Sequence, residues 1–115
     1  MTKSLKTLME DAIFEFSTGE DLKAEKILMG IIEVDKKSID AFRALSEVSL
    51  SLQKLDQAEE CCRKALEIDP NDLTSVVSLS RILVKKGDKE GAESASAKAR
   101  VLGWQEELAD DETID

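Results

Sequence analysis

Apolar residues recur every three or four positions along most of the chain, which is the spacing of one buried face of an α-helix. Two stretches illustrate this spacing: Leu5, Leu8, Ala12 and Phe16, then Ala41, Leu45, Val48 and Leu52. A single proline and five glycines among 115 residues leave little material for the tight turns of a β fold. The pattern therefore predicts an all-α protein.

Short polar breaks divide these stretches into pairs of helices. Gly19 and Gly87 supply residues that let the chain leave a helix at positive φ. Ser38 and either Asn71 or Asp72 are predicted N-caps for the helices that follow them. The second helix of each pair is expected to end near one of three apolar residues: Val34, Ile68 and Leu102.

The sequence repeats with a period of 34 residues. The dipeptide Ala-Glu marks the period: Ala24-Glu25, Ala58-Glu59 and Ala92-Glu93. Such a period is typical of helical hairpins that stack on one another. We predict three units, at about 5–38, 39–72 and 73–106. Glu47 and Arg81 occupy equivalent positions in successive units, and we expect them to form an ion pair.

The repeat resembles the tetratricopeptide repeat family. The second unit carries the resemblance most fully, with small residues at Ala58 and Ala65 and the closing pair Asp69-Pro70. The resemblance implies three helix-turn-helix hairpins stacked as a right-handed superhelix. It also implies a concave face, lined by the first helix of each hairpin, that binds a peptide or a helix of a protein partner.

The family's groove positions select nine residues of this chain as the partner-binding surface. They are Met9, Ile13 and Phe16 from the first unit, Arg43, Glu47 and Leu50 from the second, and Val77, Arg81 and Val84 from the third. This lining is mixed and largely apolar. It favours an amphipathic helix or an extended apolar segment as the ligand.

Some family members clamp a C-terminal carboxylate with cationic and amide side chains, because a carboxylate needs charge-assisted donors. The matching positions here carry no cation: Met9, Ile13, Ala44, Thr74 and Ser78. We therefore predict that the chain does not bind chaperone tails in the clamp manner.

The net charge of −9 is concentrated near the C-terminus. Residues 101–115 hold six acidic residues and no Lys or Arg, so the body carries only about −3. We expect one domain over residues 1–108, with Trp104 folded against the last hairpin, followed by a disordered acidic tail at 109–115. A weakly acidic body argues against nucleic acid as a partner.

Candidate chemistry is sparse. The chain has no His, no glycine-rich phosphate loop and no metal-ligand spacing, which disfavours an enzyme, a cofactor and a metal site. Cys61 and Cys62 are adjacent on a predicted helix, where a disulfide would be strained, so we expect reduced thiols that fill space in the core. These thiols, and the absence of an apolar run long enough to span a bilayer, predict a cytoplasmic protein without membrane association.

Two classes of function follow from these features. The first is a protein-interaction scaffold or adaptor that binds a peptide or helix in the groove. The alternative is a self-associating homo-oligomer that forms a structural module of a larger assembly, or a secretion-type chaperone.

Overall fold

The chain forms three antiparallel helical hairpins. A computed structural model describes the backbone of residues 3–112 and the side chains of residues 3–110. Its helices are α1 (Leu5–Ser17), α2 (Asp21–Val34), α3 (Ile39–Ser51), α4 (Leu55–Ile68), α5 (Leu73–Lys86) and α6 (Lys89–Glu112). Each helix packs on the next, and α3 also contacts α1 and α5. The predicted all-α array of three hairpins is confirmed.

The first helix of every hairpin begins at a side-chain cap. Ser4, Ser38 and Asp72 lie 34 residues apart, and each side chain accepts a hydrogen bond from a backbone N–H three residues later. Such a bond satisfies one of the N–H groups that a helix start leaves without a partner. The predicted cap at Ser38 is confirmed, and of Asn71 and Asp72 the structure selects Asp72.

The turn inside each hairpin uses one residue in the left-handed region. Gly19 and Gly87 have φ values of 86° and 82°, and Gln53 occupies the equivalent position with φ 63°. A side chain in this region crowds its own backbone, so the middle turn carries a cost that the two glycine turns avoid.

Gln53→Gly is therefore expected to raise the free energy of unfolding by about 0.5–1 kcal/mol. The measurement is urea unfolding of the variant beside the parent protein. Gln53→Ala is the matched control, because it keeps a Cβ at the same φ and should bring no gain. Equal stabilities for the glycine and alanine variants would contradict the assigned turn conformation.

The regular spacing of small residues lets the two helices of a hairpin approach closely. Ala24, Ala58 and Ala92 are buried. Two of their carbonyls accept hydrogen bonds from serines of the facing helix, Ser46 to Ala58 at 3.1 Å and Ser80 to Ala92 at 3.3 Å. The alanine of each Ala-Glu pair is therefore a packing residue.

The glutamate of the first two Ala-Glu pairs connects its hairpin to the next one. Glu25 accepts from Lys54 Nζ at 2.7 Å, and Glu59 accepts from Lys86 Nζ at 2.7 Å. These lysine contacts are the largest cause of the lowered pKa of each carboxyl. The period thus encodes contacts both within and between hairpins.

The last helix differs from the sequence-based prediction. α6 continues to Glu112, so residues 109–112 extend the helix where a disordered tail was predicted, and residues 113–115 lie outside the described residues. Good helix formers such as Glu, Leu and Ala occupy most of positions 105–109, which explains the continuation. Trp104 does not fold against the last hairpin, because its side chain is 60% exposed. Within residues 3–112, no helix has the length and apolar character needed to cross a bilayer.

Candidate functional site

A pocket of about 610 Å³ lies between α1, α3 and the start of α5. Its volume is within the range of ordinary ligand pockets. The lining combines apolar and charged side chains of the three first helices: Lys6, Met9, Glu10, Ile13, Asp40, Arg43, Ala44, Glu47 and Thr74. These lining residues come from α1, α3 and α5, the first helices of the three hairpins, whose face is the predicted groove.

Four of the nine predicted groove residues line this pocket: Met9, Ile13, Arg43 and Glu47. Arg81 joins them through Glu47, since its Nη1 lies 3.2 Å from the Glu47 carboxylate. Val77 is exposed on the same helix as Arg81. Five of the predicted residues thus share one surface around the pocket, with Val77 beside it on α5.

The remaining three residues lie elsewhere. Phe16 is partly buried against the core of the first two hairpins. Val84 lines a separate pocket with Ala92, Ser96 and Arg100 at the end of the array. Leu50 is only 6% exposed, because it packs in the core of the last two hairpins. Leu50 is therefore a core residue, and its side chain is not available on the predicted partner-binding surface.

The charges on α3 are satisfied within the protein. The Glu47 carboxylate accepts from Ser78 Oγ at 2.8 Å as well as from Arg81, so the predicted Glu47–Arg81 pair is confirmed. Because Arg81 is exposed, the pair contributes only about 0–1 kcal/mol. Its main effect is to neutralise two charges on the groove wall.

Arg43 is held more firmly. Its Nε donates to Asp72 Oδ2 at 2.8 Å, its Nη2 donates to Asp72 Oδ1, and its Nη1 donates to Asp40 at 2.9 Å. Asp72 is buried, and the Arg43 contact is the largest cause of its lowered pKa. One carboxylate therefore caps α5 and anchors a groove arginine. The sequence indicates the capping role of Asp72, but no feature of the repeat predicts its contact with Arg43.

The groove that remains for a ligand is mainly apolar. Met9 and Ile13 of α1 face Ala44 of α3, and the charged lining residues of α3 already have partners. Lys6 and Glu10 add one charge of each sign at the edge of the pocket. A ligand gains most here by burying apolar side chains.

A second cleft, of about 630 Å³, lies between α2, α3 and α4. Its apolar lining includes Met29, Phe42 and Cys61, and Gly30 contributes no side chain to it. Burial raises the pKa of the Cys61 thiol to about 12, so this thiol stays protonated at neutral pH. Cys61 and Cys62 are both free and buried. This agrees with the prediction of reduced thiols that fill space in the core.

Comparison with known proteins supports the fold. A family model described as tetratricopeptide repeat matches residues 48–72, which run from the end of α3 through α4 to the cap of α5. No curated protein matches the chain by sequence. Among solved structures, MamA superposes with a TM-score of 0.87 at 22% identity, covering 91% of this chain and 61% of MamA.

Two further structures contain bound peptides. The type III secretion chaperone SycD of Yersinia enterocolitica, in complex with a peptide of the translocator YopD, superposes with a TM-score of 0.84 at 20% identity. It covers 89% of this chain and 78% of SycD. The second repeat domain of Spaghetti (RPAP3), bound to the HSP90 peptide SRMEEVD, superposes with a TM-score of 0.82 at 16% identity. The superposition covers 87% of this chain and 93% of the Spaghetti domain. The matched repeat and the superposed structures show that the chain has the fold of stacked tetratricopeptide hairpins.

Proposed function

We propose that the chain is a protein-interaction scaffold that binds an apolar peptide or an amphipathic helix of a partner in its concave groove. The observation that carries this proposal is the pocket of about 610 Å³ formed by α1, α3 and α5. Its apolar lining, of which Ile13 is exposed and Met9 and Ala44 are partly buried, and its internally paired charges favour a ligand that contributes apolar side chains. The bound peptides of SycD and Spaghetti support the same use of the fold.

The groove composition also distinguishes between kinds of peptide. Thr74 and Ser78 stand at two of the positions where carboxylate clamps place donors, and Ser78 is buried against Glu47. Arg43, the cationic residue of α3, already donates hydrogen bonds to Asp72 and Asp40. We therefore propose recognition of internal apolar residues of the partner, with no contribution from its terminal carboxylate.

A secretion-type chaperone is the more specific version of this function. It is favoured by the similarity to SycD and to PcrH, whose structure is in complex with the chaperone-binding region of PopD. An enzymatic role is not proposed, because the chain contains no His and its two thiols are buried. The free thiols also support a reducing, cytoplasmic compartment.

The test selects binding peptides from a displayed library and measures their affinity for two matched variants. Ile13 and Phe14 are neighbours on α1 with similar exposure, 57% and 63%, but only Ile13 lines the groove. Ile13→Glu should weaken binding at least about tenfold, because it places a charge against apolar ligand side chains. Phe14→Glu should leave the affinity within about twofold of the parent protein.

Two outcomes would contradict the proposal. One is an equal loss of affinity in both variants, which would indicate a site outside the groove. The other is a strong loss of affinity when the C-terminus of the peptide is amidated, because that result requires a carboxylate contact.

A further inference from the structure

The C-terminal part of α6 projects beyond the last hairpin. The residues of α6 that face α5 are small or apolar and end at Leu102: Ala92, Ala95, Ala99 and Leu102. Ten further residues continue the helix to Glu112, a length of about 15 Å. This projecting segment adds no residue to the cores of the three hairpins described above.

The outer face of α6 becomes apolar where the segment begins to project. Val101, Trp104 and Leu108 are spaced as a single helical stripe and are 47%, 60% and 62% exposed. At about 100° per residue, this stripe lies on the side of α6 that faces away from α5. Earlier in α6 the same face carries small or charged residues, Glu90, Glu93 and Ala97. Three large apolar side chains on one exposed face are typical of a docking surface.

We propose that the occupant of this stripe is the stripe of a second copy of the chain, packed antiparallel. Charge complementarity supports this choice. Arg100 and Glu107 flank the stripe on the same side, and antiparallel packing of two identical helices brings that side of each helix against the same side of the other. Arg100 of each copy then lies opposite Glu107 of the other, giving two equivalent ion pairs about a two-fold axis near Trp104.

The other flank fits the same arrangement. It carries Lys98, Gln105 and Ala109, so antiparallel packing places the lysine near neutral side chains. Parallel packing would instead bring Arg100 of one copy near Lys98 of the other, which is repulsive. Among the described residues, the salt bridges of the chain do not involve Arg100 or Glu107.

The stripe also sets the strength of the contact. Stable protein interfaces bury about 800 Å² from each partner, and three side chains with their flanking charges supply less than that. The dimer is therefore weak and reversible. It leaves the concave groove free, because the stripe lies on α6 and the groove lies between α1, α3 and α5.

The experiment uses the full chain and its sole tryptophan as a reporter. Sedimentation equilibrium should show the average mass rising with concentration from 12.7 kDa toward twice that value. Trp104 emission should shift to shorter wavelength, and quenching by acrylamide should decrease, over the same concentration range. A mass that stays at 12.7 kDa up to millimolar protein would overturn the proposal.

Variants then test the contact between the two stripes and its antiparallel direction. Leu108→Glu should abolish the mass increase and the emission shift, whereas the matched control Phe14→Glu should leave both unchanged. Arg100→Glu and Glu107→Arg should each weaken dimerisation at least about fivefold, and the double variant R100E/E107R should recover most of the loss. Circular dichroism verifies that each variant is folded. Dimerisation that survives Leu108→Glu, or a double variant as weak as the single ones, would overturn the proposed antiparallel contact.

Discussion

Asp72→Ala is expected to lower the free energy of unfolding by about 3 kcal/mol. The substitution removes the cap of α5, worth about 1 kcal/mol, and leaves Arg43 without its main partner. Breaking a buried ion pair costs about 3–5 kcal/mol, but the Arg43 side chain is 33% exposed, so solvent screening reduces this contribution. Urea unfolding at neutral pH, followed by circular dichroism, measures the total loss in the free energy of unfolding.

The same substitution should change the response to acid. The pKa of Asp72 is lowered in the folded state, mainly by the hydrogen bonds from Arg43. A carboxyl of this kind stabilises the fold while it is ionised, and its contribution disappears as the pH falls through the folded-state value. The stability difference between the parent protein and Asp72→Ala should therefore be constant near neutral pH and decrease below about pH 4.

Asp72→Ser is the matched control, because serine keeps a capping oxygen but cannot pair with Arg43. It should lose about 1 kcal/mol less than Asp72→Ala at neutral pH. If alanine and serine at position 72 gave the same stability as the parent protein, the double role of this carboxylate would be wrong.

Ile82→Ala is expected to destabilise the protein by about 3–4 kcal/mol. Ile82 is fully buried in the core formed by the second and third hairpins, so truncation removes apolar contacts and leaves a cavity. The matched control is Val84→Ala, two residues later on α5, whose side chain is exposed and should change stability by less than about 0.5 kcal/mol. Comparable losses at both positions in thermal or urea unfolding would contradict the assigned core.

The hairpin architecture could be predicted from the sequence because the repeat encodes it locally. Gly19 and Gly87 mark the turns, Ser38 marks a helix start, and the recurring Ala24 and Ala58 mark close helix packing. Each of these signals depends on backbone conformation or side-chain size, which the residue type determines directly. The family resemblance then supplied the concave face as the candidate site.

The contents of the groove were less predictable, because they depend on contacts between distant residues. Asp72 reaches Arg43 across 29 positions, and no single-residue signal indicates that an N-cap will also anchor an arginine. The family's groove positions include Leu50, but this residue is buried in a core with residues of α4 and α5. Burial depends on neighbouring helices, which a periodic pattern in one helix does not describe.

The predicted disorder of residues 109–112 is wrong for a different reason. The acidic composition of residues 101–115 predicts a disordered tail at 109–115, but Glu, Leu and Ala also have high helix propensity. α6 therefore continues to Glu112 and leaves Trp104 exposed. Composition alone did not distinguish a charged helix from a charged coil.

Methyl-resolved NMR of the full chain tests the proposed groove most directly. A library-selected apolar peptide is titrated into protein with labelled Met, Ile, Leu and Val methyl groups. We expect the largest shift changes at Met9, Ile13 and Val77, with little change at the exposed Val34 on α2 and Val101 on α6. Shift changes centred on α2, α4 or α6, with the methyl groups of α1 unaffected, would contradict the concave groove as the binding site.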